Sequence, residues 1–370
     1  MNDPLFLTQP YLPPFDEYSS EIRELWNSYW ITTMGRKHSL LTDELKSFLK
    51  VKNLSLFSSG HTALEATIRA FELKGEIITT PFTFASTTHA IINCGLNPKF
   101  CDIHMDDYTI DISYIESLIT PNTSAIIPVH PYGNLCDIKG IDSIAKKYGL
   151  KVIYDAAHTF GIEVSNQGVS SFGDASIISF HASKVFHTAE GGAVAYSNDD
   201  FKEKLELVRN FGVASENSVP SIGLNGKMNE LEAAMGLCCL RHFNEIIAKR
   251  KSLDKRYRSN LYGCLNYRVN QIPDEVKYNY SYFPIIVLSD NPLKNRDVVY
   301  EALHQANIFA RKQFFPLTCD FECYHGKFNN LELVNARYVS THILCLPLHT
   351  NMTEEDVDRV CEVLWKFPNI

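Results

Sequence analysis

Long apolar runs and an excess of positive charge are both missing from this chain. No apolar stretch approaches the roughly 20 residues that a membrane-spanning helix requires. The 35 Lys and Arg residues stand against 43 Asp and Glu residues, and this net charge of −8 argues against non-specific binding to nucleic acid or to an anionic membrane. The first residues lack the basic and then apolar pattern of a signal peptide, so we expect a cytoplasmic protein.

Paired metal-binding motifs are missing as well. The ten cysteines are scattered and none shows CxxC spacing, which argues against a zinc site and favours reduced thiols. His130, His181 and His187 have neither a helical i, i+4 partner nor a carboxylate triad. We therefore predict that the protein binds no metal.

The hydrophobic pattern predicts two domains. From about residue 40 to residue 200, helical and strand-like segments alternate, which is typical of a largely parallel sheet covered by helices. After residue 270 the pattern changes to that of a smaller α+β domain. A chain of 370 residues with 45% hydrophobic content can bury two cores. We predict a large domain at 1–240 and a small C-terminal domain at 241–370.

The pattern also predicts individual elements. The strands predicted for the large domain are Leu54–Phe57, Glu76–Thr79, Pro98–Asp102, Ser124–Val129, Lys151–Asp155, Ala175–Phe180 and Ala193–Tyr196, with helices at Thr62–Leu73, Ser113–Ile119 and Ile138–Tyr148. A helix at Lys227–His242 is predicted to continue into Glu245–Arg258. The small domain is predicted to contain strands at Tyr282–Leu288 and Ile343–Leu348 and helices at Pro292–Gln305 and Glu354–Trp365.

Lys184 is the first candidate for catalysis. It follows an apolar strand pattern and precedes a glycine turn, Glu190-Gly191-Gly192. A lysine that ends a buried strand is poorly hydrated, which favours its neutral, nucleophilic form. Such an amine can form a Schiff base with an aldehyde. Taken alone, a lysine at a strand end is more often a surface residue.

Two other segments place polar groups after predicted strands. Ser58-Ser59-Gly60-His61-Thr62 opens a helix, where free N–H groups can hold a phosphate, although an ordinary capped helix start has the same pattern. Asp155 and His158 follow another strand. The aspartate can pair with a protonated pyridine nitrogen and the histidine can donate to a phenolic oxygen. The alternative for this segment is a helix N-cap aspartate followed by a helical histidine.

These segments are predicted to meet at one edge of the sheet. Ligands gather at the carboxyl ends of strands in an open α/β sheet, and Gly60, Asp155 and Lys184 all lie at or beyond such ends. A phosphate cradle, a carboxylate and a lysine are what pyridoxal 5′-phosphate requires. Phe84 would add a stacking face, although a phenylalanine is more commonly a core residue.

The same motifs resemble those of the DegT-type sugar-nucleotide aminotransferases, which are fold-type I enzymes that use pyridoxal phosphate. The resemblance covers nearly the whole chain in the family's order and spacing. It rests on Ser-Phe-His-Ala-Ser-Lys184-x5-Glu-Gly-Gly, Asp155-Ala-Ala-His158, Ser-Ser-Gly60-x-Thr, Pro-Phe-Thr-Phe84 and Gly223-x-Asn225-Gly-Lys-Met-Asn-Glu230. It implies an α/β large domain with a mostly parallel seven-stranded sheet, a small α+β C-terminal domain, and a homodimer whose active sites straddle the interface.

The resemblance also implies roles for single residues. Lys184 would be the catalytic residue that carries the cofactor, Asp155 would bind the pyridine nitrogen, and His158 would lie near the ring hydroxyl. The remaining cofactor-binding residues would be Gly60, His61 and Ser179 at the phosphate, Phe84 against the ring, and Asn225 from the partner subunit.

Two positions can be compared with the family's variants. His61 stands where the family usually has a threonine, so a backbone N–H contact to the phosphate is expected there instead of a hydroxyl contact. Relatives that remove the sugar 3-hydroxyl carry histidine at the position of Lys184. The lysine therefore favours transamination.

Three segments look closest to one branch of the family: Pro4–Phe15, Trp30–Gly35 and Asn307–Lys312. That branch makes dTDP-4-amino-4,6-dideoxy-D-glucose, the precursor of viosamine-type sugars in bacterial surface polysaccharide such as O-antigen. The expected substrates are dTDP-4-keto-6-deoxy-D-glucose and L-glutamate. Arg311 and Lys312 would bind the substrate pyrophosphate, since arginine makes forked contacts to phosphate oxygens, or would form only a solvated edge.

Two alternatives stay open at this point. One is a related aminotransferase that acts at C3, or at C4 with a galacto product. The other is a non-catalytic regulator that binds pyridoxal phosphate. Such a regulator usually carries a DNA-binding module, for which this acidic chain has no spare segment.

Overall fold

The computed structural model of the protein describes residues 3–289, 291, 295–329 and 331–367. Its strands are β1 (Leu5–Phe6), β2 (Asn53–Phe57), β3 (Glu76–Thr79), β4 (Asn97–Phe100), β5 (Thr123–Ile127), β6 (Lys151–Asp155), β7 (Glu163–Val164), β8 (Gln167–Gly168), β9 (Ala175–Ser179), β10 (Gly192–Tyr196), β11 (Tyr267–Val269), β12 (Val276–Lys277), β13 (Phe283–Val287), β14 (Ile308–Phe309) and β15 (Ile343–Leu346). Its α-helices are α1 (Phe15–Ser28), α2 (Arg36–Leu49), α3 (Gly60–Ala70), α4 (Ala85–Asn93), α5 (Ile112–Leu118), α6 (Ile138–Tyr148), α7 (Asp199–Arg209), α8 (Glu230–Arg241), α9 (Phe243–Asn260), α10 (Arg296–Gln305), α11 (Val334–His342) and α12 (Glu354–Trp365).

The large sheet has seven strands in the order β2-β10-β9-β6-β5-β3-β4. Strands β9, β6, β5, β3 and β4 pair in parallel, whereas β10 runs antiparallel between β9 and β2. Because β10 opposes both of its neighbours, β2 runs in the same direction as β9. The carboxyl ends of all strands except β10 therefore lie at one edge. The predicted α/β fold with a mostly parallel seven-stranded sheet is confirmed.

Helices cover both faces of this sheet. Alternate strand residues face opposite sides, so Ile177 and Val194 pack in the core that α3 and α7 share. Their neighbours Ile178 and Ala193 pack in the core beneath α2 and α8. Burial on both faces explains why these strands read as continuous apolar runs in the sequence. Each buried isoleucine contributes about 1.5–3 kcal/mol of stability.

The C-terminal part of the chain builds a second core around the antiparallel sheet β11-β13-β15. Helices α9, α10 and α12 cover it through residues such as Leu253, Val299 and Val357. Leu5 in β1 belongs to the same core, and β1 pairs in parallel with β14. The chain thus enters the small core near its beginning and returns to it after α8. The boundary predicted between 1–240 and 241–370 falls at the junction of α8 and α9, and it stays a prediction.

The predicted elements agree with the observed ones to within three residues where the structure describes them. One continuity was wrong: α8 and α9 are separate helices, because His242 leaves the helical conformation with φ −96° and ψ 4°. The first three residues of the predicted helix Pro292–Gln305 lie outside the described residues. Asn295 caps α10 by accepting hydrogen bonds from the N–H groups of Asp297 and Val298. Among the described helices, none combines the length and apolar character that a bilayer crossing needs.

Candidate active site

Three strand ends of the large sheet carry the polar residues that the sequence singled out. Gly60 begins α3 three positions after the end of β2, Asp155 is the last residue of β6, and Ser179 is the last residue of β9. Lys184 lies in the segment that joins β9 to β10. Because β2, β6 and β9 run in the same direction, all four residues lie at the same edge of the sheet.

A single cavity of about 620 Å³ lies at this edge. Its volume is typical of a site for a small molecule or cofactor. The predicted site residues that line it are Gly60, His61, Phe84, Asp155, His158, Ser179, Lys184, Arg311 and Lys312. Asn225 does not line it and is exposed, as expected of a residue that reaches a partner subunit; that role stays a prediction.

The N-terminus of α3 forms the anion-binding end of the cavity. Ser59 caps the helix by accepting a hydrogen bond of 3.0 Å from the N–H of Thr62. The other first-turn N–H groups of a helix have no intrahelical acceptor and favour anions. A Cβ on Gly60 would lie 3.1 Å from Cβ of Ser179, and one on Gly192 would lie 2.5 Å from N of Gly60. Glycine at both positions therefore lets Ser179 approach the start of α3.

The imidazole of His61 is held by neighbouring side chains of α3 and α4. Its Nδ1 lies 2.8 Å from Oγ of Ser86, and its Nε2 lies 3.2 Å from a carboxylate oxygen of Glu65. Both ring nitrogens are thus engaged by side chains of α3 and α4. The backbone N–H of His61 remains the group that this residue can offer to a phosphate.

Asp155 is a buried carboxylate with neutral hydrogen-bond donors. Its Oδ2 accepts a hydrogen bond of 2.6 Å from Thr87, and its Oδ1 accepts one of 3.2 Å from the N–H of Ala157. Burial raises the pKa of the Asp155 carboxyl, while Thr87, Ala157 and the charge of Lys184 act in the opposite direction. Within the described part of the chain, no cationic side chain forms an ion pair with it. A protonated ring nitrogen would supply the missing positive charge.

His158 is held as a neutral ring with a defined tautomer. The backbone N–H of Tyr132 donates a hydrogen bond of 2.9 Å to its Nδ1, so the proton of the neutral ring resides on Nε2. Burial, reinforced by the charge of Lys184, holds the pKa of His158 well below its usual range. The Nε2–H group is therefore a hydrogen-bond donor to the contents of the cavity. This fits the predicted position near a ring hydroxyl.

The amine of Lys184 lies beside an aromatic side chain that lines the cavity. Its Nζ lies 3.5 Å from Oη of Tyr282 and 5.8 Å from the centre of the Tyr282 ring. Tyr282 and Phe314 also line the cavity, and Phe314 lies parallel to the His158 ring at a centroid distance of 6.2 Å. Neither residue was predicted from the sequence. Tyr282 stands at the start of an ordinary apolar strand pattern, and Phe314 lies in the aromatic run Phe314-Phe315 two positions after Lys312, so neither belongs to a polar motif that would single it out.

The outer part of the cavity contains the remaining predicted residues. Phe84 is 58% exposed at the start of α4, so it is not the core residue that its type alone suggests. Lys312 forms an ion pair of 2.9 Å with Asp297, and its Nζ lies 4.3 Å from the centre of the Tyr300 ring. Arg311 pairs through its backbone with Cys345, and it is an exposed residue that also lines the cavity.

The residues present fit pyridoxal 5′-phosphate. The buried carboxylate of Asp155 calls for a cationic ring atom, the start of α3 offers N–H groups to a phosphate, and Lys184 lines the same cavity. Among the described residues, no cluster of His, Cys, Asp and Glu has a metal-binding arrangement.

Comparisons with known proteins agree with this geometry. The model of the DegT/DnrJ/EryC1/StrS aminotransferase family matches residues 16–365. The chain is 42% identical over 365 residues to a dTDP-4-amino-4,6-dideoxy-D-glucose transaminase of Shigella dysenteriae, covering 98% of this chain and 99% of the relative. It is 40% identical over 372 residues to an Escherichia coli protein with the same name, covering 98% and 99%. The crystal structure of DesI, determined in the presence of its TDP-sugar product, matches with a TM-score of 0.93 at 28% identity, covering 98% of this chain and 93% of that chain.

Proposed function

The chain belongs to the DegT/DnrJ/EryC1/StrS aminotransferase family of pyridoxal-phosphate-dependent sugar aminotransferases, and we propose that it transfers the amino group of L-glutamate to carbon 4 of dTDP-4-keto-6-deoxy-D-glucose. The products are dTDP-4-amino-4,6-dideoxy-D-glucose and 2-oxoglutarate. The observation that carries the reaction type is the meeting of Lys184, Asp155 and the start of α3 in one cavity. The identity of 42% to the Shigella dysenteriae transaminase supports the choice of sugar and nucleotide.

Lys184 is the proton carrier of the proposed reaction. When bound, pyridoxal phosphate supplies an electrophilic carbon and a ring that takes up the charge left behind when a neighbouring carbon loses its proton. Nζ of Lys184 takes the proton from the α-carbon of glutamate, acting as a general base, and later delivers a proton to carbon 4 of the sugar. The face from which Nζ delivers this proton sets the gluco or galacto configuration of the product.

Asp155, His158 and the start of α3 orient the cofactor. The carboxylate of Asp155 holds a protonated ring nitrogen, and its two hydrogen bonds from Thr87 and Ala157 fix its direction. The Nε2–H of His158 donates to the ring hydroxyl. The N–H groups of Gly60 and His61, with the hydroxyl of Ser179, hold the phosphate. Phe84 supplies an aromatic face beside the ring.

The functional unit is a homodimer with shared sites. Large apolar side chains are exposed between α1 and α2, at the cavity wall and on the segment before α8, and burial against a second copy accounts for them. They include Trp30, Ile31, Phe84, Phe211 and Ile222. Asn225 lies on that segment, outside its own cavity, and completes the site of the partner subunit. Arg311 and Lys312 bind the pyrophosphate of the substrate.

The cellular setting belongs to the same proposal. The ten cysteines are unpaired, which supports a reducing compartment such as the cytoplasm. The product is a viosamine-type amino sugar, of the kind that bacteria incorporate into surface polysaccharides such as O-antigen. The substrates are a nucleotide-linked keto sugar and L-glutamate, with neither nucleic acid nor membrane as a partner.

The test is a panel of keto-sugar nucleotides with L-glutamate as donor and NMR analysis of each product. We expect dTDP-4-keto-6-deoxy-D-glucose to react with the highest kcat/KM and to give the equatorial 4-amino sugar. A 3-amino product or the galacto epimer would assign the protein to a neighbouring branch. A bound cofactor whose absorbance ignores glutamate would instead indicate a non-catalytic regulator.

A further inference from the structure

The side chain of Tyr282 touches the reacting amine, yet the reaction described above gives it no role. Its Oη lies 3.5 Å from Nζ of Lys184, and the two residues are 98 positions apart in the sequence. The ring is 7% exposed and lines the cavity. It packs against His158 with ring centroids 4.8 Å apart. Tyr282 therefore lies between the lysine and the histidine of the site.

Hydrogen bonds from the preceding residues fix the segment that carries Tyr282. Oγ of Ser281 donates a hydrogen bond of 2.8 Å to the carbonyl oxygen of His158. Nδ2 of Asn279 donates to the same oxygen at 2.9 Å and to the carbonyl oxygen of Phe160 at 3.0 Å. All of these donors and acceptors are buried. The tyrosine is thereby tied to the loop that follows Asp155.

Arg250 in α9 holds the same segment from the side of the small core. Its Nη1 donates to the carbonyl oxygens of Tyr280 and Ser281 at 3.1 and 3.2 Å. Arg250 is 2% exposed, and no carboxylate in the described part of the chain forms an ion pair with it. A buried guanidinium without a counter-ion is costly. Its two carbonyl contacts therefore indicate that the protein holds segment 279–282, which carries Tyr282, in a fixed position.

We propose that Tyr282 is a positioning residue whose hydroxyl oxygen accepts an N–H of Lys184 and so directs the lone pair of the free amine into the cavity. This inference rests on the proposed function. When the C–H bond of the amino donor breaks, the proton goes to Nζ and the electron pair stays on carbon, where bound pyridoxal phosphate would take up its charge. Nζ would then give that proton to the electrophilic carbon that the cofactor supplies. The tyrosine hydroxyl keeps its own proton throughout, and it acts by orienting Nζ.

The test is Tyr282→Phe, which keeps the ring and removes only the hydroxyl. In a single turnover with L-glutamate, the conversion of the bound cofactor is expected to slow by about tenfold to hundredfold. The kinetic isotope effect with α-deuterated glutamate is expected to rise, because proton transfer becomes more fully rate-limiting. Capture of pyridoxal phosphate by the apoprotein, followed as the appearance of the visible band, is expected to slow as well, since the same lone pair attacks the aldehyde. Tyr262→Phe, at an exposed position outside the cavity lining, is the matched control.

Unchanged single-turnover rates and an unchanged isotope effect in Tyr282→Phe would overturn this assignment. If that variant does not fold, Ser281→Ala replaces it, because it keeps the tyrosine and removes the hydrogen bond to His158; a several-fold slower single turnover is expected, and wild-type speed would overturn the assignment. Lys184→Ala separates failure of the proposed function from failure of the role of Tyr282. An active Lys184→Ala protein would refute the proposed function, whereas an inactive one beside a fully active Tyr282→Phe protein would refute only the role of the tyrosine.

Discussion

The hydroxyl of Thr87 donates a hydrogen bond of 2.6 Å to Oδ2 of Asp155, across 68 positions of sequence. Oγ1 of Thr87 also lies 2.8 Å from Oγ1 of Thr83, so the start of α4 and the turn before it jointly orient the carboxylate. The direction of Asp155 is thus set by a helix outside its own strand. Two properties of this residue, its charge and its orientation, can be separated by mutation.

Asp155→Asn is expected to slow the glutamate half-reaction by about a hundredfold or more, because an amide cannot hold a protonated ring nitrogen. Thr87→Val keeps the charge of Asp155 and removes only its orienting hydrogen bond, so a loss of about tenfold is expected. Stopped-flow absorbance of the bound cofactor measures both rates. An Asp155→Asn protein as fast as the wild type would contradict the assigned role.

Lys184→Ala is expected to abolish turnover and the absorbance band of the lysine-bound cofactor, because Lys312, the other lysine that lines the cavity, is held in an ion pair with Asp297. Borohydride reduction followed by mass spectrometry should locate the cofactor on Lys184 in the wild type. Lys204→Ala is the control, since that ammonium pairs with Glu72 on the surface. Retained activity in Lys184→Ala, or a label on another lysine, would refute the central assignment.

Mixing two inactive variants tests the shared site. Lys184→Ala and Asn225→Ala are each expected to have low activity as purified dimers. After co-refolding in equal amounts, mixed dimers contain one site with both native residues, so activity should recover to about a quarter of the wild-type value. Two Lys184→Ala preparations mixed in the same way should stay inactive. Failure of the first mixture to recover, although mixed dimers are detected, would place Asn225 outside the partner's site.

Arg311 and Lys312 are expected to differ as ligands of the substrate pyrophosphate. The ammonium of Lys312 is already paired with Asp297 and lies over the ring of Tyr300, whereas Arg311 presents an exposed guanidinium. Arg311→Ala should raise KM for the sugar nucleotide by about tenfold or more, and Lys312→Ala by less. The KM for glutamate should change in neither variant. A larger effect from Lys312→Ala would reverse this order.

The histidine His349 is expected to make stability depend on pH. Burial and the charge of Arg250 lower the pKa of His349 to about 4, whereas the unfolded chain protonates it near its ordinary value of about 6.5. Between these values the unfolded state binds more protons, so this group removes about 1.4 kcal/mol of stability for each unit that the pH falls from 6.5 toward 4. His349→Asn should therefore show a smaller drop in Tm between pH 7 and pH 5 than the wild type. His325→Asn, at an exposed position, should show the full drop.

The sequence predicted the parts of the fold that depend on local pattern. Runs such as Ile177 and Ile178 in β9 are apolar on both faces, so a buried strand was evident from composition alone. The two-residue strand β1 was not predicted, because its pairing with β14 is a contact across some 300 positions that leaves no periodic signal. The end of α8 was missed for a related reason: neither glycine nor proline marks the turn at His242.

The candidate site likewise contains residues that the sequence predicted and one that it did not. Gly60, Asp155 and Lys184 were found because strand ends and glycine turns have sequence signatures, and the structure brings them to one cavity. Tyr282 carries no such signature. Its position follows from the packing of the second core against the first, through hydrogen bonds that begin at Asn279, Ser281 and Arg250. Contacts of this kind become visible only in three dimensions.

The placement of Leu5 has a consequence for dividing the protein. Since Leu5 packs with residues that follow α8, a cut near residue 240 would leave the small core without one of its own side chains. The C-terminal piece should therefore not fold fully on its own. It should fold better when a short peptide that spans β1 is added to it. The small core is thus complete only when segments some 300 positions apart, β1 and β14, have come together.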